Sequence, residues 1–238
     1  ADDVAVRQHV GYLPESPYFY EYLTAEEFLL FIGKLFGLEG KALAGKVDEL
    51  LELVSMSTAR RAPLGKVSKG MLQRVGIAQA LINDPRVVIL DEPMSGLDPI
   101  GRRDVRDIIH RLKDQGKTVF FSSHILPDVE MVCDRIGILV KGSLRAVGTV
   151  HEIIGDAAAG PIELVVERFP REAAEEIARL GGTMVERDHG VLISVRDEAQ
   201  ASRCLELIRN YHSRLVSYVP HKKSLEDLFL QETGVGRS

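Results

Sequence analysis

Residues 86–99, RVVILDEPMSGLDP, place two adjacent carboxylates, Asp91 and Glu92, at the end of a short apolar run that turns at Pro93. Apolar runs of this length, bounded by turn residues, are typical of buried strands. Side chains alternate along a strand, so the two acids need not share one task. The simplest alternative is that they end the strand in solvent, and the surrounding sequence has to decide between these interpretations.

The surrounding pattern predicts an α/β fold. Apolar strand candidates at 9–14, 86–90, 117–123 and 135–140 are separated by stretches with helical spacing, including 101–116 and 126–134. Strands that alternate with helices indicate a covered parallel sheet. Ligands bind at the carboxyl ends of such strands, where one acid could hold hydrated magnesium while the other polarises water.

Residues 24–84 are predicted to be mostly helical, with helices through 23–38, 41–56 and 68–84. Thr24 stands three residues before Glu27, which is the spacing of a capping box at a helix start. This segment therefore forms a helical subdomain inserted between two strands.

A second domain is predicted after the small-residue stretch GDAAAG at 155–160. Beyond it the order strand, helix, strand, strand, helix, strand is that of a ferredoxin-like unit. We therefore divide the chain into residues 1–155, an α/β domain, and residues 161–238, a small α+β domain.

Composition excludes several functions. The 238 residues carry a formal net charge of −5, which gives no electrostatic reason to expect nucleic acid as a partner. No apolar stretch approaches the roughly 20 residues that cross a bilayer. Cys133 and Cys204 show no metal-like spacing. A cytoplasmic protein that does not span the membrane is predicted.

Two further stretches stand on either side of the acid pair, VSKGMLQR at 67–74 and FFSSH at 120–124. Together, and in this order, the three stretches resemble the ATPase subunit of an ABC transporter. The signature of that family reads leucine, serine, glycine, glycine, glutamine. Its places are taken here by Val67, Ser68, Lys69, Gly70 and Met71. A helix amino terminus with Ser68 and Gly70 suits phosphate binding, whereas Lys69 replaces a glycine and adds positive charge. Without the resemblance, Ser68 is equally well interpreted as an N-cap.

The resemblance implies a P-loop NTPase-like (ABC ATPase) fold that binds ATP and Mg²⁺. It implies that Asp91 supports magnesium, that Glu92 activates water and that His124 contacts the terminal phosphate. Ser95 and Asp98 match the loop that communicates between two subunits, although an Asx-type turn also accounts for Asp98. His124 at a strand end is alternatively a structural or merely exposed histidine.

The loop after the first strand departs from the family pattern, because Glu15 stands where glutamine is usual. An acid there can still meet magnesium or water, so we include Glu15 among the candidate metal ligands. The aromatic residues of PYFYEYLT, residues 17–24, lead into the region that receives the membrane subunit in this family. They suit either an interface or ordinary packing.

The phosphate loop G-x-x-x-x-G-K-[ST] does not occur in the sequence. In the family it precedes the first strand identified here, so we expect the chain to be a fragment that is inactive alone. Three functions remain open. The first is the ATPase of a membrane exporter, which pairs with an integral membrane permease and a second ATPase subunit and lies peripherally on the inner face of the cell membrane. The second is a soluble ABC ATPase that acts on ribosomes or DNA. The third is a non-hydrolysing binding module.

Overall fold

The structure of the chain, a computed structural model, describes residues 6–154, 161–187, 190–221, 224–226 and 228–229. A first compact unit ends at Val132 and a second begins at Cys133. In the described part, the helices are α1 Ala25–Leu35, α2 Gly40–Leu53, α3 Lys69–Ala80, α4 Pro99–Asp114, α5 Leu126–Val132, α6 Val150–Ile154, α7 Ala174–Arg179 and α8 Glu198–Asn210. The strands are β1 Val10–Leu13, β2 Val87–Leu90, β3 Thr118–Phe121, β4 Arg135–Val140, β5 Ser143–Thr149, β6 Ile162–Glu167, β7 Thr183–Arg187, β8 Gly190–Val195 and β9 Arg214–Pro220.

The predicted parallel sheet is present in the first unit as β1-β2-β3. The register pairs Leu13 with Leu90 and Leu90 with Phe121, so the three strands end at the same edge. Leu13 and Leu90 are buried in a core shared with the surrounding helices. Chain segments that follow these strands therefore meet at one edge of the sheet, which is where the acid pair lies.

The predicted helical segment is confirmed by α1, α2 and α3, which separate β1 from β2. The capping box at the start of α1 is also confirmed. The Thr24 backbone N–H donates to the Glu27 carboxylate at 2.9 Å, and the Glu27 backbone N–H donates to the Thr24 hydroxyl at 3.2 Å. The Thr24 backbone N–H, together with the Thr24 hydroxyl that donates to the same carboxylate at 2.9 Å, lowers the pKa of the Glu27 carboxyl group. Leu29 on α1 and Leu51 on α2 are fully buried, so helix packing follows the apolar spacing of the sequence.

Residues 135–140 form the predicted strand, β4, which pairs with none of β1, β2 and β3 among the described residues. β4 pairs antiparallel with β5, a strand that the periodicity did not predict. The two strands are joined at Lys141 and Gly142, whose φ values of 49° and 77° suit the two-residue turn of a tight hairpin. A hairpin partner that follows at once costs less loop-closure entropy than a distant parallel strand.

The predicted ferredoxin-like unit is confirmed by the order of β6, α7, β7, β8, α8 and β9. These strands form an antiparallel sheet in the order β7-β8-β6-β9. Alternate residues of β6 and β8 are buried in a separate apolar core. The boundary predicted at 155–160 lies outside the described residues and stays a prediction.

Candidate functional site

The acid pair lies where β2 leaves the sheet. The Asp91 backbone N–H continues the parallel pairing by donating to the Leu13 carbonyl at 2.8 Å. Glu92 then takes a φ of 47°, in the left-handed region that side chains other than glycine rarely adopt. Such backbone strain costs about 1–3 kcal/mol and is characteristic of functional sites. The strained backbone is compatible with a functional role of the pair, which stays a prediction.

Ser122 joins the two acids to the neighbouring strand. Its hydroxyl donates to Asp91 Oδ1 at 2.6 Å and accepts the Glu92 backbone N–H at 2.8 Å. Ser122 lies within FFSSH, and the sequence pattern alone predicted no role for it. The available signal was its place directly after β3, since parallel strands bring the residues that follow them together.

His124 lies beside Glu92, a contact that the sequence did not predict. Its Nδ1 is 2.9 Å from Glu92 Oε2. An ionised carboxylate only accepts hydrogen bonds, so this contact requires a proton on Nδ1 and leaves Nε2 for another partner. The His124 side chain is 68% exposed, against 19% for that of Glu92. The pair thus combines a sheltered carboxylate with an imidazole that is open to an incoming group.

The segment that carries His124 is anchored to α4. Asp128 on α5 is buried and accepts a hydrogen bond from Arg106 on α4. Before it, the Ile125 backbone N–H donates to the Ser123 hydroxyl at 3.0 Å. A buried, paired carboxylate of this kind holds two helices in a defined arrangement, so His124 is presented from a braced loop.

Asp91 is suited to support magnesium through few protein ligands. One carboxylate oxygen accepts a hydrogen bond from Ser122, and the other makes no hydrogen bond with the described residues. Within the described residues, no group of three or more histidine, cysteine or acidic side chains is placed to hold a metal ion. Magnesium bound with a nucleotide keeps several waters and needs only one or two carboxylates, so this arrangement fits the ion.

Glu15 follows β1 and is exposed. Because β1 and β2 are parallel neighbours, the segment that carries Glu15 leaves the sheet at the same edge as the acid pair. Its predicted role as a metal ligand beside Asp91 stays a prediction.

A second cluster contains the signature residues. Ser68 caps α3 by accepting the Met71 backbone N–H at 3.2 Å, and Asp98 caps α4 by accepting that of Gly101 at 2.7 Å. Both amino termini open into one cavity of about 360 Å³. Its lining includes the signature residues Ser68, Lys69 and Gly70 together with Asp98. The N-cap interpretation of Ser68 is therefore correct, and Asp98, for which an Asx-type turn was the alternative, caps α4 in the same way. Both caps leave free backbone N–H groups at the helix starts.

Lys69 links the signature to the loop after the acid pair. A Cβ built on Gly96 would lie 2.3 Å from Lys69 Nζ, so the ammonium group covers Gly96 directly. Gly96 has a φ of 67°, and the Ser95 backbone N–H donates to the Glu92 carbonyl at 3.1 Å. The loop from Glu92 to Gly96 thus runs from one cluster to the other.

Comparisons with known proteins agree with the resemblance found in the sequence. A family model described as ABC transporter matches residues 1–95. An ABC transporter ATP-binding protein of Synechocystis sp. is 45% identical over 97% of this chain and 64% of its own length. The linearmycin resistance ATP-binding protein of Bacillus subtilis is 31% identical over 96% of this chain and 75% of its own length. The chain belongs to the ABC transporter ATP-binding protein family. The resemblance inferred from the sequence is confirmed.

A solved structure supports the fold of this ABC ATP-binding chain. The ATP-binding subunit of an ABC transporter aligns with a TM-score of 0.54 and 33% identity, over 62% of this chain and 61% of that one. The predicted P-loop NTPase-like α/β class is confirmed. Members of this family are ATPases, so the predicted enzyme class holds for the family. The chain spans about two thirds of the length of the Synechocystis relative.

Proposed function

We propose that this chain provides the hydrolytic half of a nucleotide site in an ATPase subunit that energises a membrane exporter. The observation that supports this most directly is the contact of His124 with Glu92 beside Asp91, at the carboxyl edge of a parallel sheet. The Bacillus subtilis relative is a linearmycin resistance protein, which favours export over uptake. Substrate selectivity would reside in the permease.

The roles of the three side chains follow from their chemistry. Asp91 supports Mg²⁺, which when bound neutralises charge on the phosphates. Glu92 accepts a hydrogen bond from the attacking water and polarises it. His124 keeps Nδ1–H on Glu92 and directs Nε2 to the terminal phosphate. Phosphoryl transfer is mostly positioning and charge neutralisation, which such a set supplies.

His124→Ala should lower ATP turnover by about 100-fold in the full gene product, because one fixed contact to developing charge is removed. The measurement is phosphate release at saturating ATP, with nucleotide affinity measured in parallel. His110→Ala is the matched control, since His110 is an exposed histidine on α4. Turnover of His124→Ala within twofold of wild type would favour the structural interpretation of this histidine.

The phosphate cradle is the part of the site that these 238 residues do not contain, because the sequence has no G-x-x-x-x-G-K-[ST]. On this proposal the cradle belongs to a part of the protein outside them, and the chain alone does not hydrolyse ATP. Carboxylates without backbone N–H groups and a lysine would repel the phosphates.

A second ATPase subunit, identical or homologous, is proposed to complete each site. The amino terminus of α3 presents Ser68, Lys69 and Gly70 at the open cavity beside α4. A Cβ on Gly70 would meet only Leu97, at 3.9 Å, so the backbone there is open to an incoming phosphate. The helix terminus and Lys69 both favour an anion.

Ser68→Arg should abolish the shared site by filling the amino terminus of α3 and removing its cap. We expect steady turnover to fall at least about tenfold, while nucleotide binding by one subunit changes little, since the signature acts on the partner's nucleotide. ATP-dependent dimerisation, measured by light scattering, should be lost in the same variant. Unchanged turnover, or full activity of a strictly monomeric protein, would contradict the shared site.

An exposed aromatic patch of Tyr18, Tyr20, Tyr22 and Phe31 is proposed to receive the permease. These rings are 87%, 41%, 77% and 39% exposed, and Tyr20 contacts each of the other three. Exposed aromatic clusters of this size are characteristic of interfaces.

In the described residues, no helix is both long and apolar enough to cross a bilayer. We place the chain peripherally on the cytoplasmic face of the membrane.

The domain division of the sequence analysis is retained as a proposal. Residues 1–155 form the later part of the ATPase domain, and residues 161–238 form the accessory domain with its own core.

The proposed function as a whole is tested by Mg²⁺-dependent phosphate release from ATP by the full gene product. Absence of such turnover in the presence of its permease would overturn it.

A further inference from the structure

Ser122 connects the end of β3 to both acids of the pair. It is the first residue after β3, and its backbone N–H donates to the Leu90 carbonyl at 3.1 Å, which extends the pairing of β3 with β2. This pairing places Ser122 directly beside Asp91, one step beyond the last strand pair of Leu90 and Phe121. A side chain at this point faces the residues that leave β2.

The hydroxyl of Ser122 has a single proton, and its partners determine where that proton lies. The carboxylate of Asp91, 2.6 Å away, can only accept, so the proton points to Oδ1. The Glu92 backbone N–H, 2.8 Å away, can only donate, so it takes a lone pair of the same oxygen. Ser122 therefore holds one acid by its side chain and the other by its backbone.

The backbone of Glu92 needs such a constraint. Its φ of 47° is unfavourable for a residue with a Cβ, so the conformation persists only where neighbours hold it. Two hydrogen bonds do so, from Ser95 N–H to the Glu92 carbonyl at 3.1 Å and from the Glu92 N–H to Ser122. The first is local to the turn, whereas the second ties the turn to another strand.

The direction of the Glu92 carboxylate depends on this backbone. If the Glu92 backbone left the left-handed region, its Cα–Cβ bond would point in another direction. The carboxylate would then move away from His124 Nδ1, which is now 2.9 Å from Glu92 Oε2. Misplacement of a reacting group by about 1 Å costs about 100-fold in rate. The hydroxyl of Ser122 is thus connected to the water-activating carboxylate through one hydrogen bond and one residue.

We propose that Ser122 is a positioning residue for ATP hydrolysis, which holds Glu92 in its strained conformation and fixes one oxygen of Asp91. This inference rests on the proposed function of the acid pair. A positioning role requires no direct contact between Ser122 and the nucleotide. Ser122 therefore acts on turnover and not on nucleotide affinity.

The test compares Ser122→Thr with Ser122→Val in the full gene product, since the two side chains differ only in a hydroxyl and a methyl group. We expect Ser122→Val to lower kcat for ATP at least about tenfold, with KM and the Kd of a fluorescent ATP analogue within threefold of wild type. Ser122→Thr should keep at least a third of wild-type kcat. Ser122→Ala, which removes the hydroxyl without adding volume, should behave as Ser122→Val does.

Two reference variants separate the possible failures. Thr118→Ala, at the other end of β3, should turn over ATP within twofold of wild type. If Glu92→Gln remains active, the proposed function is overturned and this inference with it. If Glu92→Gln is inactive while Ser122→Val and Ser122→Ala keep kcat within twofold of wild type, the Ser122 inference alone is overturned. A loss of kcat that Ser122→Thr shares, or that accompanies a loss of nucleotide affinity, also overturns it.

Discussion

Glu92→Gln is expected to reduce steady ATP turnover by the full gene product by about two to four orders of magnitude. The substitution keeps the size and shape of the side chain. An amide oxygen can still accept the proton of His124 Nδ1, at the position now 2.9 Å from Glu92 Oε2. What is lost is the negative charge that polarises the attacking water. Nucleotide binding should therefore survive, and two subunits should stay closed around uncleaved ATP.

The measurement for Glu92→Gln is phosphate release at saturating ATP, together with the Kd of a fluorescent ATP analogue. Glu52→Gln is a matched control, because Glu52 is an exposed residue of α2 with the same change of charge. The control should turn over ATP within twofold of wild type. Glu92→Gln turnover close to wild type would remove Glu92 from the mechanism and leave its backbone strain without a functional reason.

Gly11→Ala is expected to destabilise the first unit by about 3 kcal/mol. A Cβ at residue 11 of β1 would lie 2.0 Å from the Ala80 carbonyl oxygen and 2.9 Å from the Ala80 carbonyl carbon. These are backbone atoms at the end of α3, so no side-chain rotation relieves the overlap. The helix has to move away from the sheet, or the strand has to leave its pairing with β2. Because α3 begins with the signature residues, turnover should fall as well.

Gly45→Ala is the matched control for Gly11→Ala. Gly45 lies inside α2, and a Cβ there meets no atom within 4 Å. Alanine favours a helix over glycine by about 1 kcal/mol, so this variant should be slightly more stable than wild type. Guanidinium unfolding of the full gene product compares the midpoints. A midpoint for Gly11→Ala at or above that of wild type would contradict the close packing of α3 on β1.

Local sequence patterns determined the elements of this protein and much of its chemistry. The spacing of Thr24 and Glu27 predicted a helix start, and alternating apolar residues predicted β6 and β8, because each of these signals lies within a few neighbouring residues. The order of the signature, the acid pair and His124 was sufficient to identify the family. That order also brought Glu92 and His124 forward as candidate site residues, although it did not predict their contact across 32 residues of sequence.

Only the tertiary structure decided which distant residues touch. Ser122 is 31 residues from Asp91, and its bridge to the acid pair depends on the parallel pairing of β2 with β3. The conflict between Gly11 and Ala80 likewise depends on how α3 packs on β1. The antiparallel partner of β4 was missed because residues 143–149 show little apolar alternation. Periodicity reports which face of an element is apolar, whereas register and packing follow from the combined fit of all elements, so contacts of this kind appear only when the chain has folded.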